Sequence, residues 1–121
     1  MKTQGLNHIQ IAVSDLDRSL GFYTGLLGMR ELFREGPGLV FLQSAEGNDI
    51  LTLRLVDGPV DTSAGGVQHF GFAVKAEDHA AAVEEARAFG AEVTSVGQHG
   101  GHGPLYAYIK DPDGYLIELG G

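Results

Sequence analysis

Three residues of this chain have the side chains and the positions to hold a metal ion. His8, His69 and Glu118 each lie at a matching place in a short run where apolar residues alternate with others. Two neutral imidazoles and one carboxylate bind a divalent ion on one face, and they leave the opposite coordination positions open for water, oxygen or a chelating substrate. A lone strand histidine is more often an ordinary hydrogen-bonded side chain. The three together predict an open metal site.

The alternation predicts that these residues lie on β-strands. The runs at 6–13, 67–74 and 115–119 have apolar residues at every second position, which is the period of a strand. In each run the candidate ligand falls on the face opposite to the apolar one. We therefore expect the ligands to project from sheet faces that do not pack into the core.

The chain also repeats itself, because a shift of 61 residues places His8 on His69 and the first helical stretch on the second. Each half is predicted to form a strand, a helix and three further strands. The strands that follow the helices are predicted at 30–33, 39–43, 50–56, 92–96, 105–110 and 115–119.

Both predicted helices have recognisable ends. Ser14 and Asp17 resemble a capping box at the start of the first helix, and Gly28 is expected to end it. The second helix is predicted to start near Asp78 and to end at Gly90.

Two motifs resemble the vicinal oxygen chelate superfamily. HIQIAVSDLDRS at 8–19 and DPDGYLIEL at 111–119 are similar to its opening and closing motifs, and the resemblance runs over essentially the whole chain. The superfamily includes glyoxalase I, extradiol ring-cleaving dioxygenases, fosfomycin-resistance enzymes and bleomycin-binding proteins. The resemblance implies one α+β domain over 1–121, made of two βαβββ modules at about 5–58 and 66–121. It implies a mixed sheet curled into a cup around a metal, with the helices outside.

On this resemblance His8, His69 and Glu118 fall on the family's ligand positions. Glyoxalase I-like enzymes carry a second carboxylate where this chain has Thr52. A threonine hydroxyl is a poor ligand for a divalent metal beside a carboxylate. We therefore expect three protein ligands and no four-ligand glyoxalase site.

The three-ligand relatives include the extradiol dioxygenases, whose signature spacing is matched by His99, Tyr108 and Glu118. The resemblance implies that His99 and Tyr108 hydrogen-bond a metal-chelated catecholate. The chain departs from the larger dioxygenases near Leu55, where their acid-base histidine is absent. The glycine-rich loop around His99 is equally typical of a solvated connection. The favoured prediction is an extradiol-type dioxygenase that uses Fe(II) or Mn(II) on a small catechol.

Other functions of the same fold stay open. A glyoxalase I-like lyase or isomerase is the second prediction, and Zn(II) or Ni(II) are possible metals. A non-catalytic binding protein of the bleomycin-resistance type is the third. A fosfomycin-resistance enzyme needs a cluster of cations, of which only Arg54 and Lys110 are visible on late strands. For substrate binding we single out Gln10 as a hydrogen-bonding side chain, Thr52, and Arg54 as a partner for anions.

Composition limits the partners. The net charge of −8 disfavours nucleic acid and anionic membrane surfaces. The chain has no cysteine, which agrees with a cytoplasmic location, and no apolar run long enough to span a membrane. We expect a small-molecule substrate with vicinal oxygens and a homodimer.

Overall fold

The computed structural model describes all residues from Met1 to Gly121. The chain divides into two compact units, Met1–Val60 and Asp61–Gly121. Each unit contains one helix of about three turns and a four-stranded mixed sheet, in the order strand, helix, three strands. The predicted α+β class with two βαβββ modules is confirmed.

In the first unit the sheet has the strand order β1-β4-β3-β2. Strand β1 runs parallel to β4, and the other neighbours are antiparallel. The elements of this unit are β1 (Ile9–Val13), α1 (Leu16–Gly25), β2 (Arg30–Arg34), β3 (Leu39–Gln43) and β4 (Leu51–Leu55).

The second unit repeats this topology with the strand order β5-β8-β7-β6, in which β5 runs parallel to β8. A 3-10 turn precedes its helix and another follows β6. Neither helix of the chain is long and apolar enough to cross a membrane. The elements of this unit are β5 (Phe70–Ala73), α2 (His79–Phe89), β6 (Glu92–Gln98), β7 (Leu105–Lys110) and β8 (Leu116–Gly120).

One face of each sheet forms a core. The register pairs Val40 with Leu53 and Leu42 with Leu51, and all four side chains are buried. Burial of each such side chain contributes about 1.5–3 kcal/mol. In the second unit the same alternation on β7 and β8 buries Ala107, Ile109, Ile117 and Leu119, and α2 contributes Val83 and Ala86 at helical spacing. The side chains between these positions point to the opposite face, which carries the candidate site residues of the strands.

The last strand of each sheet contains a bulge. The register between β2 and β3 shifts between Glu31 and Phe33, and the register between β6 and β7 shifts between Val93 and Ser95. A bulge bends its strand and increases the local twist.

Strands β1 and β5 start later than predicted. They begin at Ile9 and Phe70, so that His8 and His69 lie one residue before them. The reason is that the parallel partners pair first with Ile9 and Phe70, and the residues before them have no partner in the ladder. Both histidines therefore lie directly before the N-terminal residue of a strand.

The prediction of the first helix was wrong at both ends. Asp15 is the N-cap, because its Oδ1 accepts a hydrogen bond from the Arg18 backbone N–H at 3.0 Å. Ser14 Oγ instead accepts a hydrogen bond from the Arg18 guanidinium at 2.9 Å. The helix ends at Gly25, where the Leu26 N–H donates to the Phe22 carbonyl, before the predicted stop at Gly28.

Gly90 ends α2 as predicted, with φ at +97° and no atom within 4 Å of a Cβ placed there. Gly90→Ala should lower the free energy of unfolding by about 1–2 kcal/mol, because an L-residue is strained in this conformation. Gly65 is the matched control, since it lies in open space without a positive φ. Gly65→Ala should change stability by less than about 0.5 kcal/mol in the same urea titration. Equal losses in the two variants would contradict this account of the helix end.

Candidate functional site

The register of the second sheet places Glu118 at the centre of a polar cluster. Glu118 on β8 pairs with Gly71 on β5 and with Tyr108 on β7. Tyr108 and Glu118 therefore lie side by side on one face of the sheet. A Cβ at position 71 would lie 3.5 Å from the Glu118 Cβ, so glycine leaves the space beside the carboxylate open.

Three side chains contact the Glu118 carboxylate. His99 Nε2 lies 2.8 Å from Oε1. The Tyr108 hydroxyl donates a hydrogen bond to Oε2 at 3.2 Å, and His69 Nε2 lies 3.2 Å from the same oxygen. Only 21% of the Glu118 side chain is exposed. The structure thus brings together four residues that the sequence singled out.

These contacts fix the charge of the cluster. The hydrogen bond from His99 lowers the pKa of Glu118 below its ordinary value of 4.5; burial opposes this effect, and Tyr108 and the charges of His99 and His69 add to it. Burial, followed by the negative charge of Glu118, raises the pKa of Tyr108 above 10.0. At neutral pH the cluster therefore holds a carboxylate and a protonated phenol.

His99 reaches Glu118 from a closed loop. The His99 N–H donates to the Pro104 carbonyl at 3.0 Å, and the Gly103 N–H donates to the His99 carbonyl at 2.7 Å. Gly100 and Gly101 have φ values of +60° and +78°, which allow the tight turn between them. The glycine-rich segment is therefore held by backbone hydrogen bonds, and it directs the His99 ring towards the sheet.

Tyr106 belongs to this cluster although the sequence analysis assigned it no role. Its ring centroid lies 4.7 Å from that of His99 and 5.5 Å from that of Tyr108. Its hydroxyl would be 2.5 Å from a Cβ at position 97, so the ring covers Gly97. The signal was available, because Tyr106 shares a strand face with Tyr108.

The candidate substrate residues of the first unit lie on the polar face of its sheet. Gln10 and Thr52 are paired across β1 and β4, and the Thr52 hydroxyl donates to Gln10 Oε1 at 3.0 Å. Thr52 is fully buried. Arg54 follows on the same face; it is exposed and forms no ion pair.

His8 lies in the first unit, whereas His69 and Glu118 lie in the second. His8 Nδ1 is 2.7 Å from Asn7 Oδ1. Because an amide oxygen only accepts hydrogen bonds, this contact is made by the Nδ1 side of the ring and leaves Nε2 outside it. Asn7 was not among the candidate site residues. The structure contains no group of three or more His, Cys, Asp or Glu side chains arranged to hold a metal ion.

His99→Leu should raise the pKa of Glu118 in the metal-free protein, because the strongest hydrogen bond to the carboxylate is lost. A lowered carboxyl pKa stabilises the fold above the unfolded-state value of about 4.5, and this contribution is lost as the pH falls through the folded-state value. The wild type should therefore lose more stability on acidification than the variant. The pKa is measured by ¹³C NMR of the Glu118 carboxyl carbon. His102→Leu is the control, since this exposed loop histidine makes no side-chain contact with Glu118; equal titration curves of the two variants would refute the assignment.

Named relatives resemble this chain over nearly its whole length. The lactoylglutathione lyase of Haemophilus influenzae is 36% identical over 119 residues, which cover 93% of this chain and 88% of the relative. The lactoylglutathione lyase of Salmonella typhimurium is 33% identical and covers 94% of this chain and 90% of its own length. The solved structure of the fosfomycin resistance protein FosX from Listeria monocytogenes superposes with a TM-score of 0.82, covering 98% of this chain and 93% of that one. At 21% identity this likeness shows the fold alone.

The favoured prediction of an extradiol dioxygenase was wrong, because the relatives of Haemophilus influenzae and Salmonella typhimurium are lactoylglutathione lyases. The spacing that suggested ring cleavage has a structural origin. Tyr108 lies opposite Glu118 in the antiparallel β7–β8 pair, so the hairpin itself sets the spacing of ten positions from one to the other. The spacing therefore indicates the fold and does not distinguish one reaction from another. The preference for Fe(II) or Mn(II) depended on the dioxygenase and loses its support with it.

The family is shown by a match over almost the entire chain. The sequence model of the Glyoxalase/Bleomycin resistance protein/Dioxygenase superfamily matches residues 5–119, which confirms the resemblance seen in the two end motifs. Members of this family use a divalent metal and act on small molecules. The protein is therefore an enzyme that belongs to the glyoxalase, bleomycin resistance protein and dioxygenase superfamily.

Proposed function

We propose that this protein is a glyoxalase I-like lyase that acts on the adduct of a thiol with a small 2-oxoaldehyde. The observation that carries the proposal is the 36% identity to a lactoylglutathione lyase over most of both chains. Lactoylglutathione is a thioester with a neighbouring hydroxyl, so its parent adduct has oxygens on adjacent carbons. Interconversion of the two moves the carbon-bound proton from one of those carbons to the other and the hydroxyl proton from one oxygen to the other, and it needs a base and a group that stabilises the oxygens.

The donor pair of the second unit fits a divalent metal. His69 Nε2 and Glu118 Oε2 are 3.2 Å apart. Two ligands at about 2.0–2.2 Å from a metal, on adjacent coordination positions, are themselves about 3 Å apart. We propose His69 and Glu118 as ligands on this basis. His8 is proposed as the third ligand from its place in the repeated motif.

The metal proposed here is Zn(II) or Ni(II), because one carbon of the substrate is oxidised while its neighbour is reduced and no electrons are exchanged with the metal. When bound, such an ion supplies Lewis-acid stabilisation to the oxygens of the substrate. Thr52 cannot add a fourth strong ligand, and its hydroxyl already donates to Gln10. Three protein ligands would leave coordination positions free for the substrate.

His99 is proposed as the proton acceptor. Since an ionised Glu118 only accepts hydrogen bonds, His99 donates to it through Nε2, and Nδ1 is the nitrogen proposed to accept the proton of the substrate. Imidazole is the side chain most often used as a general base. Tyr108 stays protonated, so it can hold Glu118 in place or donate to an oxygen of the substrate.

The polar face of the first unit is proposed to bind the thiol part of the substrate. Thr52 is fully buried and cannot contact a substrate, but its hydroxyl donates to the exposed Gln10 side chain and orients it. The exposed Arg54 guanidinium is available to a carboxylate. A tripeptide thiol such as glutathione carries two carboxylates. The homodimer and the cytoplasmic location stay proposals, and sedimentation equilibrium would test the first of them.

The proposed ligands predict that different substitutions lower the affinity for Zn(II) by different amounts. Glu118→Gln and His69→Ala should each weaken Zn(II) binding by more than the about 10–100-fold expected of His99→Leu, which removes only a partner of the ligand. Isothermal titration calorimetry measures the affinity, and thioester formation from methylglyoxal and glutathione measures the activity. Glu92→Gln, on an exposed position of β6, is the control.

The outcomes separate the parts of the proposal. If His8→Ala retains full Zn(II) affinity while His69→Ala loses it, His8 is not a ligand. If the fully loaded protein forms no thioester, the lyase is excluded. Undiminished lyase activity after removal of the metal by a chelator would contradict the proposed metal dependence.

Arg54→Leu should raise KM for the glutathione adduct about two- to fivefold and leave kcat unchanged, because an exposed ion pair is worth about 0.2–1 kcal/mol and acts in ground state and transition state alike. Lys75→Leu removes an exposed charge elsewhere and should leave both constants unchanged. A fall in kcat with unaltered KM would contradict a binding role for Arg54.

A further inference from the structure

Tyr106 lies next to the polar cluster around Glu118 without contacting the carboxylate. Its ring is 4.7 Å from the His99 ring and 5.5 Å from the Tyr108 ring, measured between centroids. His99 and Tyr108 each make a hydrogen bond to one oxygen of Glu118, and neither of these bonds involves Tyr106. Any effect of Tyr106 on the carboxylate is therefore transmitted by the two side chains beside its ring.

A glycine on the neighbouring strand gives the Tyr106 ring its place. Gly97 on β6 and Tyr106 on β7 are directly opposite each other in the antiparallel pair. A Cβ at position 97 would lie 2.5 Å from the Tyr106 hydroxyl oxygen and 2.8 Å from its Cζ, which is closer than non-bonded atoms approach. An aromatic side chain opposite a strand glycine commonly covers it in this way. The missing side chain at position 97 thus allows the ring to lie across β6.

His99 is placed to meet this ring. It follows Gly97 by two residues, and Gln98 between them has extended backbone angles, so His99 projects to the side that the ring covers. Half of the His99 side chain is exposed, and in that environment water competes with the hydrogen bond to Glu118. The imidazole also loses rotamer freedom when it is held in a single contact. A second contact, with the Tyr106 ring, offsets that loss.

The contact with Tyr106 is strong enough to affect an exposed side chain. Aromatic rings whose centroids are about 4.5–7 Å apart attract each other, and such a pair shifts a conformational equilibrium about two- to tenfold. The His99–Tyr106 pair is at the short end of this range, at 4.7 Å with ring planes inclined by 42°. Without the tyrosine ring, the imidazole would spend a larger share of the time away from Glu118.

We propose that Tyr106 is a positioning residue, which holds the His99 imidazole against Glu118, and that Gly97 provides the space for its ring. The positioning is a property of the second unit and does not depend on the reaction. Its effect on turnover rests on the proposed lyase, in which His99 accepts the proton of the substrate. A general base acts only while it lies within hydrogen-bond reach of that proton.

Gly97→Ala tests this role without changing Tyr106 or His99. The new Cβ should lift the ring from β6, and alanine suits the backbone because Gly97 has no positive φ. In the metal-free full chain, the three-bond Hα–Hβ couplings of His99 should change from those of one rotamer towards the average of several, and NOEs between the two rings should weaken. In the Zn(II)-loaded protein, kcat for thioester formation should fall about two- to tenfold with KM unaltered.

Three further variants make the test specific. Tyr106→Leu removes the ring without altering β6, and it should average the His99 couplings and lower kcat as Gly97→Ala does. Tyr106→Phe keeps the ring and should restore the single rotamer and the wild-type kcat. Val96→Ala is the control, because the exposed Val96 side chain is next to Gly97 in β6 and lies on the other face of the sheet.

A His99 side chain that keeps one rotamer in both Gly97→Ala and Tyr106→Leu would overturn the proposal. Averaged couplings in Tyr106→Phe would equally overturn it, because they would assign the effect to the hydroxyl and not to the ring. So would a loss of kcat without any change in the His99 couplings. If the couplings change as expected and the wild type forms no thioester, the positioning role is supported and the lyase is refuted.

Discussion

The register of three strands, β5, β8 and β7, determines the chemistry of the second unit. It pairs Glu118 with Gly71 on one side and with Tyr108 on the other. A slip of one residue would turn Glu118 into the core and Ile117 onto the polar face, because side chains alternate along a strand. The buried row of Ile109, Ile117 and Leu119 prevents that slip. Packing on one face of the sheet thus fixes the position of the carboxylate on the other.

The two units have the same topology and different polar faces. Gln10 pairs with Thr52 across the parallel strands of the first unit, just as Gly71 pairs with Glu118 in the second. In the first unit the long Gln10 side chain occupies the space beside Thr52, and its Oε1 accepts a hydrogen bond from the Thr52 hydroxyl. In the second, glycine leaves the carboxylate accessible to His69 and His99. The two sheets therefore share the backbone pattern and carry different side chains at the paired positions, an amide and a hydroxyl in the first unit and a carboxylate beside glycine in the second.

Strand alternation and helix spacing were enough to predict the order of the elements and the polar faces, because they are local properties of the sequence, whereas the fold itself was implied by the resemblance of the two end motifs. Neither pattern could predict that His99 contacts Glu118, since that contact depends on the backbone hydrogen bonds of a glycine-rich loop. The match to the dioxygenase signature was misleading about the reaction. The spacing of Tyr108 and Glu118 follows from a hairpin that lyases and dioxygenases of this fold can share. The N-cap was misplaced for a similar reason, because Ser14 and Asp15 both suit the position and only the geometry of Arg18 distinguishes them.

The bulges in β2 and β6 affect the behaviour of the protein at high concentration. Each of these strands is the last of its sheet, and its outer side presents backbone N–H and C=O groups that no strand of the same sheet pairs. Such an edge is a template for the strand of another molecule, and a flat, apolar edge leads to aggregation. The bulges twist both edges out of plane, and β2 adds the charges of Arg30, Glu31 and Arg34. These edges are therefore poor templates, and sheet-to-sheet growth into fibrils is disfavoured even though Phe33 is half exposed.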